Sequence, residues 1–436
     1  MLATRRRVLL RDASLAAGGL LTAQFLAACG AATAKPTTSA GSPVTITYGN
    51  WEVYTTQADM HKKNVAAFNA SQRKVRVVYQ GVASQKMAIE LATDAAPNIV
   101  NWYQVDPFGP EGVLLPLDEY ISTDTTLQNT IVNKQALQQY VVKGKTYAFP
   151  SAIYCQMGVY CNEAMFAQAG ASIPKSGPFT LDQFRTAIGQ LLAHTKTKKN
   201  TWPIAPFFPS EYIATSEGAP LTFSANGRQY NIGNPIIDRS YAWQYDLQFT
   251  QKASPSAAAV SSLGGSGGDV TMFQSGNIGM MLVDPYPISP LQAQKVPFKW
   301  VVVPGIRDKE YPVHVGIYPL SITNTCKDPE AAYQYLHYIA TDKAANELKL
   351  STGYGIPDRQ DVAAQATGPL AQFVYLLSHA TTSYTAPPPL NSVTQFNTKV
   401  LTPEWQAVET GKATVSAAIR QTLAQWNKNA SYHTPS

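Results

Sequence analysis

Charge is scarce in this chain: Asp, Glu, Lys and Arg make up only 14% of its 436 residues. The net charge of +6 is concentrated at the start, because residues 1–28 hold four arginines and one aspartate, leaving 30 basic against 27 acidic residues beyond them. The one later basic cluster, Lys196, Lys198 and Lys199, falls beside an expected helix end and reads as a solvated surface. Nucleic-acid binding calls for a basic stripe, so no nucleic-acid partner is expected. Histidine is equally sparse: His61, His194, His314, His337, His379 and His433 show no paired spacing, so neither a metal centre nor another cofactor is expected. Apart from Cys29 the cysteines are Cys155, Cys161 and Cys326, an odd number without zinc spacing. Cys155 and Cys161 share one expected extended segment, roughly 20 Å apart if fully extended, which is beyond disulfide reach. All three are expected as buried small side chains. No glycine-rich run ends in Gly-Lys-Ser/Thr, which excludes a phosphate-cradling loop of that kind; Gly264-Gly265-Ser266-Gly267-Gly268 reads as a flexible loop. The apolar run from Ala13 to Ala28 is shorter than the ~20 residues that span a bilayer.

Aromatic residues, by contrast, are plentiful, with 23 tyrosines and seven tryptophans. Rings with a polar edge set in a weakly charged surface suit neutral, polyhydroxylated ligands, although cores and interfaces use tyrosine too. The N-terminus carries its own message. Arg5-Arg6-Arg7 and Arg11 precede the apolar, acid-poor run, which ends in Leu26-Ala27-Ala28-Cys29. That order is a secretion signal, and its last four residues match the pattern before a lipid-modified cysteine in bacterial lipoproteins. Thr4-Arg5-Arg6-Arg7-Val8-Leu9-Leu10 also resembles a twin-arginine export signal. Residues 1–28 are therefore expected as a signal peptide, Cys29 as the lipidation site, and 29–43 as a flexible tether of Gly, Ala, Thr, Ser and Pro. The folded remainder would sit on the outer face of the cell membrane.

Some 380 residues remain, too many for one core, so two lobes with a cleft between them are expected. Thr45 to Tyr48 reads as a strand, Gln57 to Ala70 as a helix, Val75 to Tyr79 as a strand, Lys86 to Thr93 as a helix and Asn98 to Tyr103 as a strand. This alternation predicts an α/β fold with a parallel, doubly wound sheet, in which ligands lie beyond the carboxyl ends of strands. Asn50, Trp51 and Glu52 follow the first strand; Trp102, Gln104 and Asp106 end or follow the third.

Several passages share the order and spacing of one family. Gly144-Lys145-Thr146-Tyr147-Ala148-Phe149-Pro150, Val159-Tyr160-Cys161-Asn162-Glu163-Ala164-Met165-Phe166 and Ala169-Gly170 resemble a passage of extracellular solute-binding proteins of the maltose type. Met272-Phe273-Gln274-Ser275-Gly276-Asn277-Ile278-Gly279-Met280-Met281 is similar to another, with Gly279 where alanine is usual. Gly316-Ile317-Tyr318-Pro319-Leu320-Ser321-Ile322 with Lys327-Asp328-Pro329-Glu330, and Gly353-Tyr354-Gly355-Ile356-Pro357-Asp358-Arg359, resemble two more. The resemblance covers nearly all of residues 44–428. It implies a two-lobed clamshell of the periplasmic-binding-protein type, type II, whose hinge is crossed near 153–157, 315–320 and 366–376. Lobe one would comprise 44–153 with 319–368, lobe two 157–315 with 374–428. The Pro-rich segment 386–389 would be a stiff connector at the cleft rim.

The same resemblance implies a sugar or oligosaccharide captured by closure and passed to the permease subunits of an ABC importer, by a monomer that is not an enzyme. A sugar offers apolar faces to rings and paired hydroxyls to carboxylates and amides. The candidates it places at the cleft are Trp51, Glu52, Trp102, Asp106, Tyr154, Gln156, Glu211, Tyr212, Asp284, Tyr286, Tyr318 and Arg359. Bland alternatives stand beside them: Trp51 and Trp102 as core rings, Asp106 as support for the turn at Pro107, Asp284 as a cap, Glu211 as a loop residue, Arg359 in a structural ion pair. Trp243 reads as lobe packing. Two rival functions remain open, the same fold binding a polyamine or peptide-like solute through Glu52, Asp106, Glu211 and Asp284, and an exported carbohydrate-active enzyme using two carboxylates.

Overall fold

The structure, a computed structural model, describes residues 42–50, 55–82, 84–130, 139–206, 210–224, 228–264, 268–384 and 391–432. The export signal, Cys29, Trp51, Glu52 and the Pro-rich segment lie outside the described residues. The principal elements begin with β1 (Val44–Asn50), α1 (Thr55–Ser71), β2 (Val75–Gly81), α2 (Ser84–Ala92) and β3 (Ile99–Asn101). Then come β4 (Phe149–Gln156), β5 (Gly158–Asn162), α3 (Glu163–Ala169), α4 (Leu181–Thr195), β6 (Trp202–Ile204), α5 (Ser210–Ser216), α6 (Pro235–Tyr245), β7 (Ile278–Val283), α7 (Ile288–Ala293) and β8 (Trp300–Val303). The chain continues through β9 (Pro312–Ile322), α8 (Pro329–Thr341), α9 (Lys343–Thr352), α10 (Gly368–His379), β10 (Thr382–Tyr384) and α11 (Val415–Lys428).

The opening βαβαβ run forms as the alternation requires: β1 pairs in parallel with β2 on one side and β3 on the other. Val75 and Val77 turn inward while Arg76 and Val78 face solvent, the period of two that a half-buried strand imposes. The expected helix over 57–70 is α1, longer by a residue or two at each end. This sheet is completed by long β9, antiparallel to β3 at Leu320–Ile322 and to β4 from His314 to Leu320, and parallel to β10 at Pro312–His314. All 11 residues of β9 are buried.

A second sheet has the order β8-β5-β7-β6. One face of it carries a second core of Val159, Phe184, Ile188, Leu191, Met280 and Leu282, while Tyr160, Met281 and Val302 of the same strands join the first core. The two main sheets, of six and four strands, make a two-lobed α/β molecule. The chain passes between the sheets at Met157, the one residue between β4 and β5, whose φ of 89 is in the left-handed region. Gly158 beside it is the residue that the aromatic ring of Phe373 in α10 requires: a Cβ there would fall 2.3 Å from Phe373 Cζ. Cys155, Cys161 and Cys326 are free and buried.

Helix ends carry their expected chemistry. Thr180 and Gln183 form a reciprocal capping box on α4, Asp328 and Asp342 cap α8 and α9, and Gly353 closes α9 in a left-handed conformation.

Candidate functional site

A row of aromatic rings lies where β4 meets β9. Tyr154 of β4 stands opposite Gly316 of β9. A Cβ on Gly316 would fall 2.3 Å from Tyr154 Oη and 2.7 Å from Gln139 Oε1, so the missing side chain is what lets the tyrosine ring lie across the strand. Tyr318, further along β9 at its register shift, places its ring centroid 5.3 Å from that of Tyr154. Tyr354, from the turn after α9, lies 5.0 Å beyond Tyr318, and His61 of α1 meets Tyr354 edge-on at 5.0 Å. In the other direction His314 is 6.0 Å from Tyr154 and 5.3 Å from Tyr384. Tyr103 packs against the Tyr154, Tyr318 and Tyr354 cluster. Gly355 serves this cluster as Gly316 does: a Cβ on it would meet Tyr318 Cε2 at 2.9 Å.

One carboxylate faces these rings. Asp284 follows β7, and its Oδ1 accepts a hydrogen bond from the Tyr286 amide at 2.9 Å, while its backbone carbonyl accepts one from Tyr160 Oη at 3.0 Å. Burial pushes the Asp284 carboxyl up to about 6, and the hydrogen bond from the Tyr286 amide holds back part of that rise. The charge of Asp284 in turn helps to raise the pKa of Tyr154, Tyr160 and Tyr318, after burial itself, which puts it within electrostatic reach of all three. Among the described residues no cation pairs with it.

Some buried polar atoms at this junction lack hydrogen-bond partners. Tyr318 Oη, close to Asp284 but outside bonding geometry, is one and His314 Nδ1 another; Trp102 Nε1, just after β3, also lacks a partner. Burial pulls the His314 imidazole down to about 4, so it is neutral at neutral pH. Native interiors satisfy nearly all such groups, so each exception calls for an explanation, and a solute that supplies the missing partner is one.

The structure brings together Tyr154, Tyr318, Asp284 and Tyr286, and places Gln156 next to them at the end of β4, opposite His314. Trp102 is half-buried, edge-on to Phe108 at 6.0 Å. Asp106 is buried in the loop after β3, at a cis bond to Pro107. Three candidates meet different surroundings. Tyr212 is wholly buried in the core of the second lobe, its hydroxyl donating to the Ile306 carbonyl at 3.0 Å and accepting from the Ile306 amide at 3.1 Å, so packing commits it. Glu211 accepts the Thr222 amide at 2.7 Å, and burial raises its pKa. Arg359 holds both oxygens of Asp361 at 2.9 Å and donates to the Thr341 carbonyl at 2.7 Å, the structural ion pair named as its alternative. Trp243, read as lobe packing, lies under the Arg185 guanidinium and packs on the second core.

Sequence reasoning missed Tyr103, His314, Tyr354 and His61 as neighbours of the site. Tyr103 adjoins Trp102, and Tyr354 stands in the quoted glycine turn, so both had a signal; the two histidines had none. Elsewhere, a concavity of ≈ 530 Å³ along the edge of β8 is lined by Glu163, Lys175, Trp300, Pro304, Gly368 and Gln372. None of its lining residues belongs to the tyrosine row, and Gly368 among them stands exposed to solvent.

Comparison with known proteins supplies the context. Residues 25–346 match the family of bacterial extracellular solute-binding proteins. No curated protein matches the chain. Among solved structures it is similar to an ABC substrate-binding protein from Listeria monocytogenes in complex with cycloalternan, at 19% identity and a TM-score of 0.73, covering 88% of this chain and 98% of that one. A solute-binding protein from Thermotoga lettingae bound with α-D-tagatose matches at 17% identity and a TM-score of 0.72, covering 88% and 99%. The cyclic α-maltosyl-1,6-maltose binding protein from Arthrobacter globiformis matches at 18% and 0.67, covering 90% and 99%. These likenesses carry the two-lobed fold, and the family match spans most of the chain: this protein belongs to the bacterial extracellular solute-binding protein family.

Proposed function

We propose that the chain captures a neutral sugar or oligosaccharide between its lobes and delivers it to the permease of an ABC importer, without chemical turnover. The observation that carries this reading is the row of tyrosines and histidine beside a single unpaired carboxylate, Asp284. Ring faces suit the C–H surfaces of a pyranose, and tyrosine hydroxyls with one carboxylate suit its hydroxyls. The sugars named for the structural relatives support the same class. A polyamine would need several free acids. Of those considered for it, Glu211 is engaged by the Thr222 amide and Asp106 is buried under its loop, which favours the neutral ligand.

Closure follows from the topology. The chain crosses between the sheets at Met157, α10 packs on both, and Asp284 and Tyr286 come from one lobe while Tyr318 and Tyr354 come from the other. A solute shifts the open and closed forms only through extra contacts in the closed one. Two sets of tyrosines and one acid provide them. The lobe limits 44–153 with 319–368 and 157–315 with 374–428, lipidation at Cys29, export of residues 29–436 and a monomeric state belong to this same proposal. No helix among the described residues is long and apolar enough to cross a membrane, which fits a protein held at the outer face through its N-terminus.

The test is a titration of residues 30–436 with mono-, di- and oligosaccharides, read by intrinsic fluorescence and thermal shift, with spermidine and tripeptides as controls. A saturable response to one sugar class, weakened at least tenfold by Tyr318→Ala and by Tyr286→Ala, supports the reading. A response confined to spermidine would sink it.

A further inference from the structure

A buried ion pair lies beneath the turn that delivers Tyr354, and the reading of the tyrosine row as the solute site leaves it unused. Lys349 Nζ of α9 donates to Asp358 Oδ2 at 2.7 Å and to the Ile339 carbonyl at 2.6 Å, and the two side chains are 1% and 0% exposed. Asn346, also wholly buried, completes the knot. Its Nδ2 donates to the carbonyls of Ala340 and Asp342 at 3.0 and 2.8 Å, and its Oδ1 accepts from the amides of Asp358 and Arg359 at 2.8 and 3.3 Å. The segment thus tied down, residues 353–358, is bound at its far side to the interlobe strand: Ile153 and Ile356 exchange both backbone hydrogen bonds, at 2.9 and 2.8 Å. Within it Tyr354 sets its ring against Tyr318, Gly355 approaches Tyr318 and Ala152, and Gly353 is so close to α7 that a Cβ would fall 2.6 Å from Ile288 Cγ2. Ile288 follows directly on the Asp284 to Pro287 loop. One short turn therefore touches the tyrosine row, the interlobe strand and the helix that starts beside the acid.

A buried salt bridge is a poor source of stability, because desolvating two charges offsets most of their attraction and well-packed apolar residues of similar volume often do as well or better. In some proteins such a network instead fixes a single arrangement of the chain around it. We propose that Asn346, Lys349 and Asp358 are positioning residues: their knot fixes the 353–358 turn on β4, and through it the placement of Tyr354 for the solute and of Gly353 for closure against α7. Burial pulls the Lys349 amine down and pushes the Asp358 carboxyl up, while each partner's charge works against that drift, so the pair is held together by its geometry as well as its charge.

The experiment compares the native chain, the double variant Lys349→Met/Asp358→Leu and the single variant Asp358→Asn, which keeps an oxygen for Lys349 Nζ. Amide hydrogen exchange at Ile153, Tyr354 and Ile356 is read without solute, and affinity is read by fluorescence titration with the same sugar panel. The reference amides are those of Phe184, Ile188 and Leu191 on α4, in the core of the other lobe. The double variant keeps its apolar fill and is expected to stay folded, with the reference amides unmoved. It is expected to exchange the amides of Ile153, Tyr354 and Ile356 at least tenfold faster and to bind the sugar at least tenfold more weakly. Asp358→Asn, which leaves Lys349 buried without its countercharge, is expected to show both losses at least as strongly as the double variant. Native exchange in the double variant, or faster exchange with native affinity, overturns the proposal. If the native chain binds none of the sugars, the sugar assignment falls by itself, and the exchange arm alone decides whether the knot holds the turn.

Discussion

Asp284 is expected to cost the free protein stability in exchange for a place to bind. Its carboxyl rises from an ordinary 3.8 to about 6 because burial penalises the charged form. An acid with a raised pKa holds its proton more tightly in the folded state than in the unfolded one. Its contribution to stability is therefore undiminished below about pH 4, declines as the pH climbs through 4 to 6, and is fully lost above that. At about 1.36 kcal/mol per pH unit the loss amounts to about 3 kcal/mol at pH 7. Asp284→Asn keeps an oxygen for the Tyr286 amide and removes the charge, so it should abolish this dependence. Thermal unfolding of native and variant chains without solute, from pH 4 to pH 8, checks it. The two melting temperatures should nearly coincide at pH 4 and separate by several degrees in the variant's favour by pH 7, with weaker sugar binding in the variant. Parallel curves across the range, or a variant less stable than native at pH 7, would refute the reasoning.

Tyr318→Phe removes a buried hydroxyl without a hydrogen-bond partner, so calorimetry should find the free protein more stable by about 1 kcal/mol and titration should find its solute affinity reduced. Gly316→Ala puts a methyl where Tyr154 Oη lies 2.3 Å away; denaturant unfolding should register a loss of about 1–3 kcal/mol, with weaker solute binding as the ring is displaced. Tyr212→Phe deprives the Ile306 amide and carbonyl of their partner inside the second core, and should cost about 1–3 kcal/mol in the same assay.

The fold was legible because its opening elements each carry a local signal: alternation in Val75 to Tyr79, an apolar face in α1, turn residues between. The site was legible only in part. Tyr154, Tyr318, Asp284 and Tyr286 converge, but they come from three distant stretches of chain, and only the resemblance to a family linked them. The resemblance offers Glu211 and Tyr212 together, but successive helix residues point in different directions; here Tyr212 faces the core and Glu211 the Thr222 loop. Arg359 stands among the candidates only through the family resemblance, on the turn at 353–359, yet Asp361, two residues on, lies within its reach and takes two of its donors. His314 gave no sign at all. Its place is fixed by the pairing of β9 with β4, a contact between residues 314 and 156, and no local pattern encodes a pairing at that separation.

The unmet polar groups at the β4 and β9 junction connect stability to function. A buried donor or acceptor without a partner costs about 1–3 kcal/mol, and Tyr318 Oη and His314 Nδ1 carry that cost together in the free protein. The surrounding frame can bear it because β9 is buried along its whole length and bonded to β3, β4 and β10. A frame that keeps its rings fixed while their polar edges lack partners is preorganised, so a solute that supplies hydroxyls there gains hydrogen bonds without first ordering the side chains. The same groups then make binding stabilise the fold, by RT ln(1 + [L]/Kd), and the stability withheld from the empty protein reappears when the solute binds.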